Sequence, residues 1–297
     1  MRELFIKLAD GKRVFARHYN DQKDSKTILY LHGGPGDNCE NFNYVAHQLA
    51  EKINIILFDQ RGVLRSDGVG EDEELTVNML VNDCESIRKA LGIAKLILLG
   101  HSYGGLIALL YARMYPEHTE GIIYENPNWS SVDAMKAILE HHCAFFSSVQ
   151  KDELSNEIHE KMEGVDDLSR LEDILLSIPE KYREIVYYNK PWSSEMLGYC
   201  HFDTITEEQW SNSQIHHTKI MADPINSINF LEETGKVQCP QLLLRGDRDP
   251  VFPDGFQEWF STNTNGIIKT VSDCGHYIHT DKPKEYCQAV WDFIGLL

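Results

Sequence analysis

The order of apolar segments predicts an α/β fold: a mostly parallel sheet with helices on both faces and an inserted helical cap. Three observations carry this. Short apolar runs without alternation recur at residues 28–31, 53–58 and 95–99, the pattern of parallel strands buried on both faces. Helix-length stretches near residues 42–52 and 77–91 separate them, and strands alternating with helices build a parallel sheet wrapped on both sides. From about residue 129 to 236 the rhythm stops, and charged and aromatic residues with no strand period replace it.

In chain order, residues 4–8 and 14–17 flank Asp10-Gly11, a dipeptide suited to a hairpin turn. Residues 106–114 are apolar nearly all round, as expected of a helix buried against the sheet. Residues 121–124, 241–245 and 267–271 supply further strands, and Pro283 opens a last helix with proline in its first turn. Helix candidates in the insertion lie at 140–149, 153–162, 168–177 and 207–221. The chain divides into a first core part (1–128), a helical cap (129–236) and a second core part (237–297). The doublets His141-His142 and His216-His217 read as surface or cap histidines. Adjacent residues point to different faces of a helix, and neither pair has zinc-helix spacing.

The 297 residues carry 28 Lys+Arg against 46 Asp+Glu, a net charge of −18. Nucleic acid and anionic membrane are poor partners for such a surface, because both require cations against phosphate. Met1-Arg2-Glu3 runs straight into a strand pattern rather than a leader, and no apolar run approaches the ~20 residues of a membrane helix. The seven cysteines include no Cys-x-x-Cys pair and suit free thiols in a reducing cytoplasm. The expectation is a soluble cytoplasmic protein acting on a small molecule or short peptide, with no metal and no organic cofactor.

Residues 95–99 run into Gly100-His101-Ser102-Tyr103-Gly104-Gly105, followed by a helix. A serine on such a sharp strand-to-helix turn has its Oγ lifted clear of the sheet, and the helix N-terminus faces the reacting carbonyl. Residues 28–31 end in His32-Gly33-Gly34-Pro35-Gly36, a rigid loop with exposed amides. The oxyanion hole is then expected from the N–H groups of Tyr103 and Gly34. A serine hydroxyl needs a base, and the base needs an orienting carboxylate. Asp249, in Gly246-Asp247-Arg248-Asp249-Pro250, is the expected acid, with Asp247 as its fallback in the turn. His276, on the loop after residues 267–271, is the expected base, and His279 is expected to be structural.

The ordered set His32-Gly33-Gly34-Pro35-Gly36, Asp59-Gln60-Arg61-Gly62, Gly-x-Ser-x-Gly, Gly-x-x-Asp-x-x-x-Pro and Gly275-His276 resembles the α/β-hydrolase superfamily. Its first two motifs resemble the proline iminopeptidase branch. Leu64 stands where those enzymes carry a second glycine, and His101 precedes the serine as in many esterases. The resemblance implies the α/β-hydrolase fold, an acyl-enzyme mechanism, and an aminopeptidase whose cap carboxylates hold the substrate amine. Glu125, Glu195, Glu207 and Glu208 are candidates for that task, and Glu125 occupies the place where some members carry the triad acid. A carboxylesterase or lactonase is the alternative, and a hydrolase-like binding protein without turnover the third reading. Paired carboxylates facing the serine would mark the aminopeptidase, and an apolar pocket the esterase.

Overall fold

The computed structural model describes residues 1–22, 25–183, 186–187 and 191–297. Strands β1 (Arg2–Lys7) and β2 (Arg13–Tyr19) form the expected hairpin. Next come β3 (Thr27–Leu31), α1 (Asn43–Leu49), β4 (Asn54–Phe58), α2 (Val77–Ala90), β5 (Leu96–His101), α3 (Tyr103–Met114) and β6 (Thr119–Glu125). Helices α4 (Ser131–Ser148), α5 (Asp152–Met162), α6 (Leu168–Ser177), α7 (Glu180–Arg183), α8 (Ser194–Leu197) and α9 (Glu207–Met221) lie between β6 and the next strand. The chain closes with β7 (Gln241–Gly246), α10 (Phe256–Asn263), β8 (Ile267–Val271), α11 (Ile278–Asp281) and α12 (Pro283–Ile294).

The sheet has eight strands in the order β1-β2-β4-β3-β5-β6-β7-β8. β2 pairs antiparallel with β1 and β4, and the remaining pairs are parallel. Every residue of β3, β4 and β5 is buried. The alternation along these strands sorts their side chains into two cores. Leu29, Leu31, Ile56, Phe58, Leu96 and Leu98 pack on the side of α2 and α3. Ile28, Tyr30, Ile55, Leu57, Ile97 and Leu99 pack on the side of α1 and α12. Burial on both faces explains why these strands read as unbroken apolar runs. β4 and β5 lie on opposite sides of β3, so a crevice opens at the carboxyl ends of β3 and β5, where α/β sheets bind ligands.

The helical stretch after β6 has a core of its own, formed by Leu139, Cys143, Phe146, Ile158, Val165, Leu171, Ile174 and Ile178. Several of its helices start at side-chain caps. Asp167 accepts from Arg170 N–H at the start of α6, and Thr206 with Gln209 forms a capping box on α9. Helix α4 begins at Ser131 rather than near residue 140, because Ser130 caps the turn before it.

Helix α10 was not expected. It is short and polar, and only Phe256 and Phe260, spaced i and i+4, are buried to signal it. The histidine doublets need one correction. All four lie on α4 and α9, but His142 and His216 are fully buried rather than at the surface. The Nδ1 of His142 hydrogen-bonds the carbonyl of Ile138, and that of His216 the carbonyl of Arg61. His141 is exposed, whereas His217 is half-buried and reaches Pro35 O and Glu172.

Candidate active site

Ser102 joins β5 to α3 with φ 51 and ψ −121, a left-handed conformation costly for any residue with a Cβ. Three backbone hydrogen bonds hold it. Ser102 N–H donates to Glu125 O at 2.9 Å, and Ser102 O accepts from Gly105 N–H at 2.8 Å and Asn128 N–H at 2.9 Å. The flanking glycines are required by close approach. A Cβ at Gly100 would lie 2.4 Å from Gly104 O, and one at Gly104 would lie 2.1 Å from Leu31 O.

The loop after β3 passes beside this turn, with Gly34 at φ 108 and a cis bond between Gly34 and Pro35. The His32 ring anchors it by accepting from Gln60 N–H at 3.1 Å. Burial pushes that imidazole down to about 4, so it stays neutral and able to accept. Gly34 and Tyr103 both line the cavity above Ser102. Neither N–H donates to another group among the described residues, which suits an oxyanion hole.

His276 Nδ1–H donates to Asp249 Oδ1 at 2.7 Å, with both side chains buried. An acceptor on Nδ1 fixes the tautomer and leaves Nε2 with its lone pair, as a base requires. Val251 N–H donates to the same carboxylate oxygen at 3.1 Å. Ser102 and His276 line one cavity. No hydrogen bond joins them among the described residues, a loose arrangement that catalytic pairs commonly show before substrate binds. Asp247 is exposed and accepts from Cys274 N–H at 3.2 Å, so it is a turn residue.

Glu125 does other work. It is fully buried, accepts from His279 Nδ1–H at 2.8 Å and His279 N–H at 3.0 Å, and accepts from Tyr286 OH at 3.1 Å. It therefore holds α11 and α12, and it does not line the cavity over Ser102. The His101 ring lies tilted beside that of His276, 4.7 Å between ring centroids, and burial holds its pKa well below the ordinary histidine range. Potential ligands His101, Glu125 and His279 lie close together, as do Glu140, Cys143 and His159. In the first group Glu125 hydrogen-bonds His279 at 2.8 Å, while His101 Nδ1 stands 3.6 Å from its other oxygen.

Three residues that the sequence did not place at the site matter here. Asn126 donates to Gly275 O at 3.0 Å and His276 O at 2.7 Å, and accepts from Gly246 N–H at 2.9 Å. It ties the end of β6 to both loops that carry Asp249 and His276. Only its place beside Pro127, straight after a strand, could have drawn notice. Glu172 and His217 line the cavity, which holds about 270 Å³. Apart from them its wall is largely apolar, with Ala134, Met135, Ile138, Leu175, Met221 and Val251. Glu172 is the only carboxylate among the described lining residues. Glu195, Glu207 and Glu208 are not among them.

A family model described as the alpha/beta hydrolase fold matches residues 26–149. A proline iminopeptidase of Heyndrickxia coagulans is 22% identical over 311 residues, covering 99% of this chain and 98% of that protein. Among solved structures, a proline iminopeptidase-related protein from Thermus thermophilus superposes with a TM-score of 0.76 at 20% identity, covering 99% of this chain and 98% of the other. An esterase from Exiguobacterium antarcticum gives 0.66 at 17% identity, covering 99% and 100%. The chain has the α/β-hydrolase fold, and fold and relatives together mark it as a hydrolase. Within that fold it resembles the proline iminopeptidase branch. Leu64, which stands where that branch carries a glycine, has φ 38 and is buried. The backbone thus keeps a left-handed turn there without the residue that adopts it most readily.

Proposed function

We propose that the chain is a serine hydrolase that forms an acyl-enzyme at Ser102 on a small ester or lactone with an apolar acyl group. The observation that carries the reading is the juxtaposition of Ser102, the His276–Asp249 pair and the free Gly34 and Tyr103 amides around one mostly apolar cavity. His276 Nε2 takes the Ser102 proton as Oγ attacks the carbonyl carbon, and the two amides hold the oxyanion. The protonated His276 gives its proton to the leaving group, and water releases the acyl chain by the same route. Asp249 keeps the imidazole in its tautomer throughout. The helices between β6 and β7 act as a cap that supplies the acyl pocket, between core parts 1–128 and 237–297.

A second reading, an aminopeptidase, is favoured by the proline iminopeptidase relative and by Glu172 in the cavity wall. A single described carboxylate, already bonded to His217, is a weaker amine site than a facing pair. Initial rates on short-chain p-nitrophenyl esters and on proline and alanine arylamides separate the two. The ester reading predicts faster turnover of the esters, abolished by Ser102→Ala. Arylamide cleavage outrunning the esters would overturn it in favour of the aminopeptidase.

Free thiols at all seven cysteines support a cytoplasmic location. No helix among the described residues is long and apolar enough to cross a membrane.

A further inference from the structure

His217 on α9 reaches two groups at once. Its Nδ1 lies 2.9 Å from Pro35 O, in the loop that carries the Gly34 amide, and its Nε2 lies 3.2 Å from Glu172 Oε1 on α6. Both partners are acceptors only, so a neutral imidazole, with one N–H, can satisfy just one of them. The imidazolium satisfies both. All three residues line the cavity over Ser102. The Glu172 side chain is about three-quarters buried, with 27% relative exposure, so its charge is poorly screened once His217 lets go.

We propose that His217 sets the charge preference of the cavity, holding the Glu172 carboxylate while doubly protonated and yielding it to a cationic acyl group when neutral or replaced. The proposal rests on the reading of this cavity as the substrate site. With His217 charged, the pair is neutral overall and the wall suits an uncharged acyl group. With His217 neutral, Glu172 keeps its negative charge and faces the cavity as an ammonium acceptor. Other titratable groups stand near the pair: His101, His276, Tyr187 and Tyr277 also line the cavity. His216, next on the same helix, is buried and held neutral, at about 3, and His276 faces the cavity from the loop after β8. The hydrogen bond to Glu172 raises the pKa of His217 above the ordinary histidine value.

The test is equilibrium binding to the Ser102→Ala protein, which needs no turnover. The probes are L-prolinamide, cationic at its ring nitrogen, and cyclopentanecarboxamide, its neutral counterpart of the same shape, each measured by calorimetry at about pH 5.5 and about pH 8. The preference for prolinamide over the neutral amide should rise about three- to fivefold between the two pH values, the scale of a partly exposed ion pair. A second substitution, His217→Gln, should give the high preference at both pH values. Glu172→Gln in its place should give the low preference at both, and the His217 imidazole, followed by NMR, should titrate lower there. A preference that ignores pH and is unmoved by His217→Gln would overturn the role of His217 while leaving the cavity as substrate site. Failure of both probes to bind at either pH would instead remove the substrate-site reading, and this proposal with it.

Discussion

Gly104 shows how little freedom the turn at Ser102 allows. Its missing Cβ is replaced by Leu31 O at 2.1 Å from where that atom would be. Gly104→Ala must therefore push β3 away from α3, and overpacking of this kind costs roughly 1–3 kcal/mol or more. A thermal melt of the variant should show a clearly lower Tm with activity lost, and an unchanged Tm would contradict the packing described. In the proposed mechanism Asp249 bears on chemistry rather than packing. Asp249→Asn keeps the shape but lets Nδ1 of His276 serve as acceptor, so Nε2 carries the proton and cannot take another. The kcat/KM on a short-chain ester should fall about 10³- to 10⁴-fold. A fall below tenfold would show that His276 is oriented by something else.

Among the elements, α2 and α3 are joined by a buried polar contact whose strength depends on pH. Glu85 on α2 accepts from Arg88 at 2.8 Å and from Tyr111 of α3 at 2.9 Å. Arg88 beside it lowers its pKa to about 2, against about 4.3 in an unfolded chain. The folded pKa is the depressed one, so the stabilisation is full above about pH 4.3 and is lost as pH falls towards about 2. Glu85→Gln should be less stable than the wild type at neutral pH by urea unfolding, and the gap should close towards pH 2. A gap that persists in acid would rule out the ionised contact as its source.

The elements also differ in how far the sequence announced them. β3, β4 and β5 were legible because burial on both faces leaves unbroken apolar runs. So were α6 and α9, whose expected limits match the helices found. Helix α10 was not, because two phenylalanines among polar residues make no visible period. At the site, the Gly-rich turns and the order serine, acid, histidine were readable as local motifs. The roles of Asn126, Glu172 and His217 were not, since each matters through partners far along the chain: Asn126 through Gly275 and His276, and His217 through Pro35 and Glu172.

For the whole molecule, two cores lie on either face of one sheet and a separate core lies in the helices between β6 and β7. Over this frame the chain spreads a net charge of −18. Self-repulsion of that size opposes the compact state and is screened beyond about 10 Å at 0.1 M salt. Raising sodium chloride from near zero to about 0.15 M should raise the Tm by a few degrees. A Tm that falls instead would mean that the surface ion pairs outweigh the repulsion.

If this scaffold makes Ser102 a nucleophile, the residue should react with a covalent serine probe. The folded protein is treated with a fluorophosphonate, digested and mapped by mass spectrometry, with Ser102→Ala and His276→Gln proteins in parallel. One adduct is expected, on Ser102, absent from the alanine variant and formed far more slowly in the glutamine one. A well-folded wild-type protein that takes up no label at Ser102, or labels equally fast without His276, would contradict that expectation.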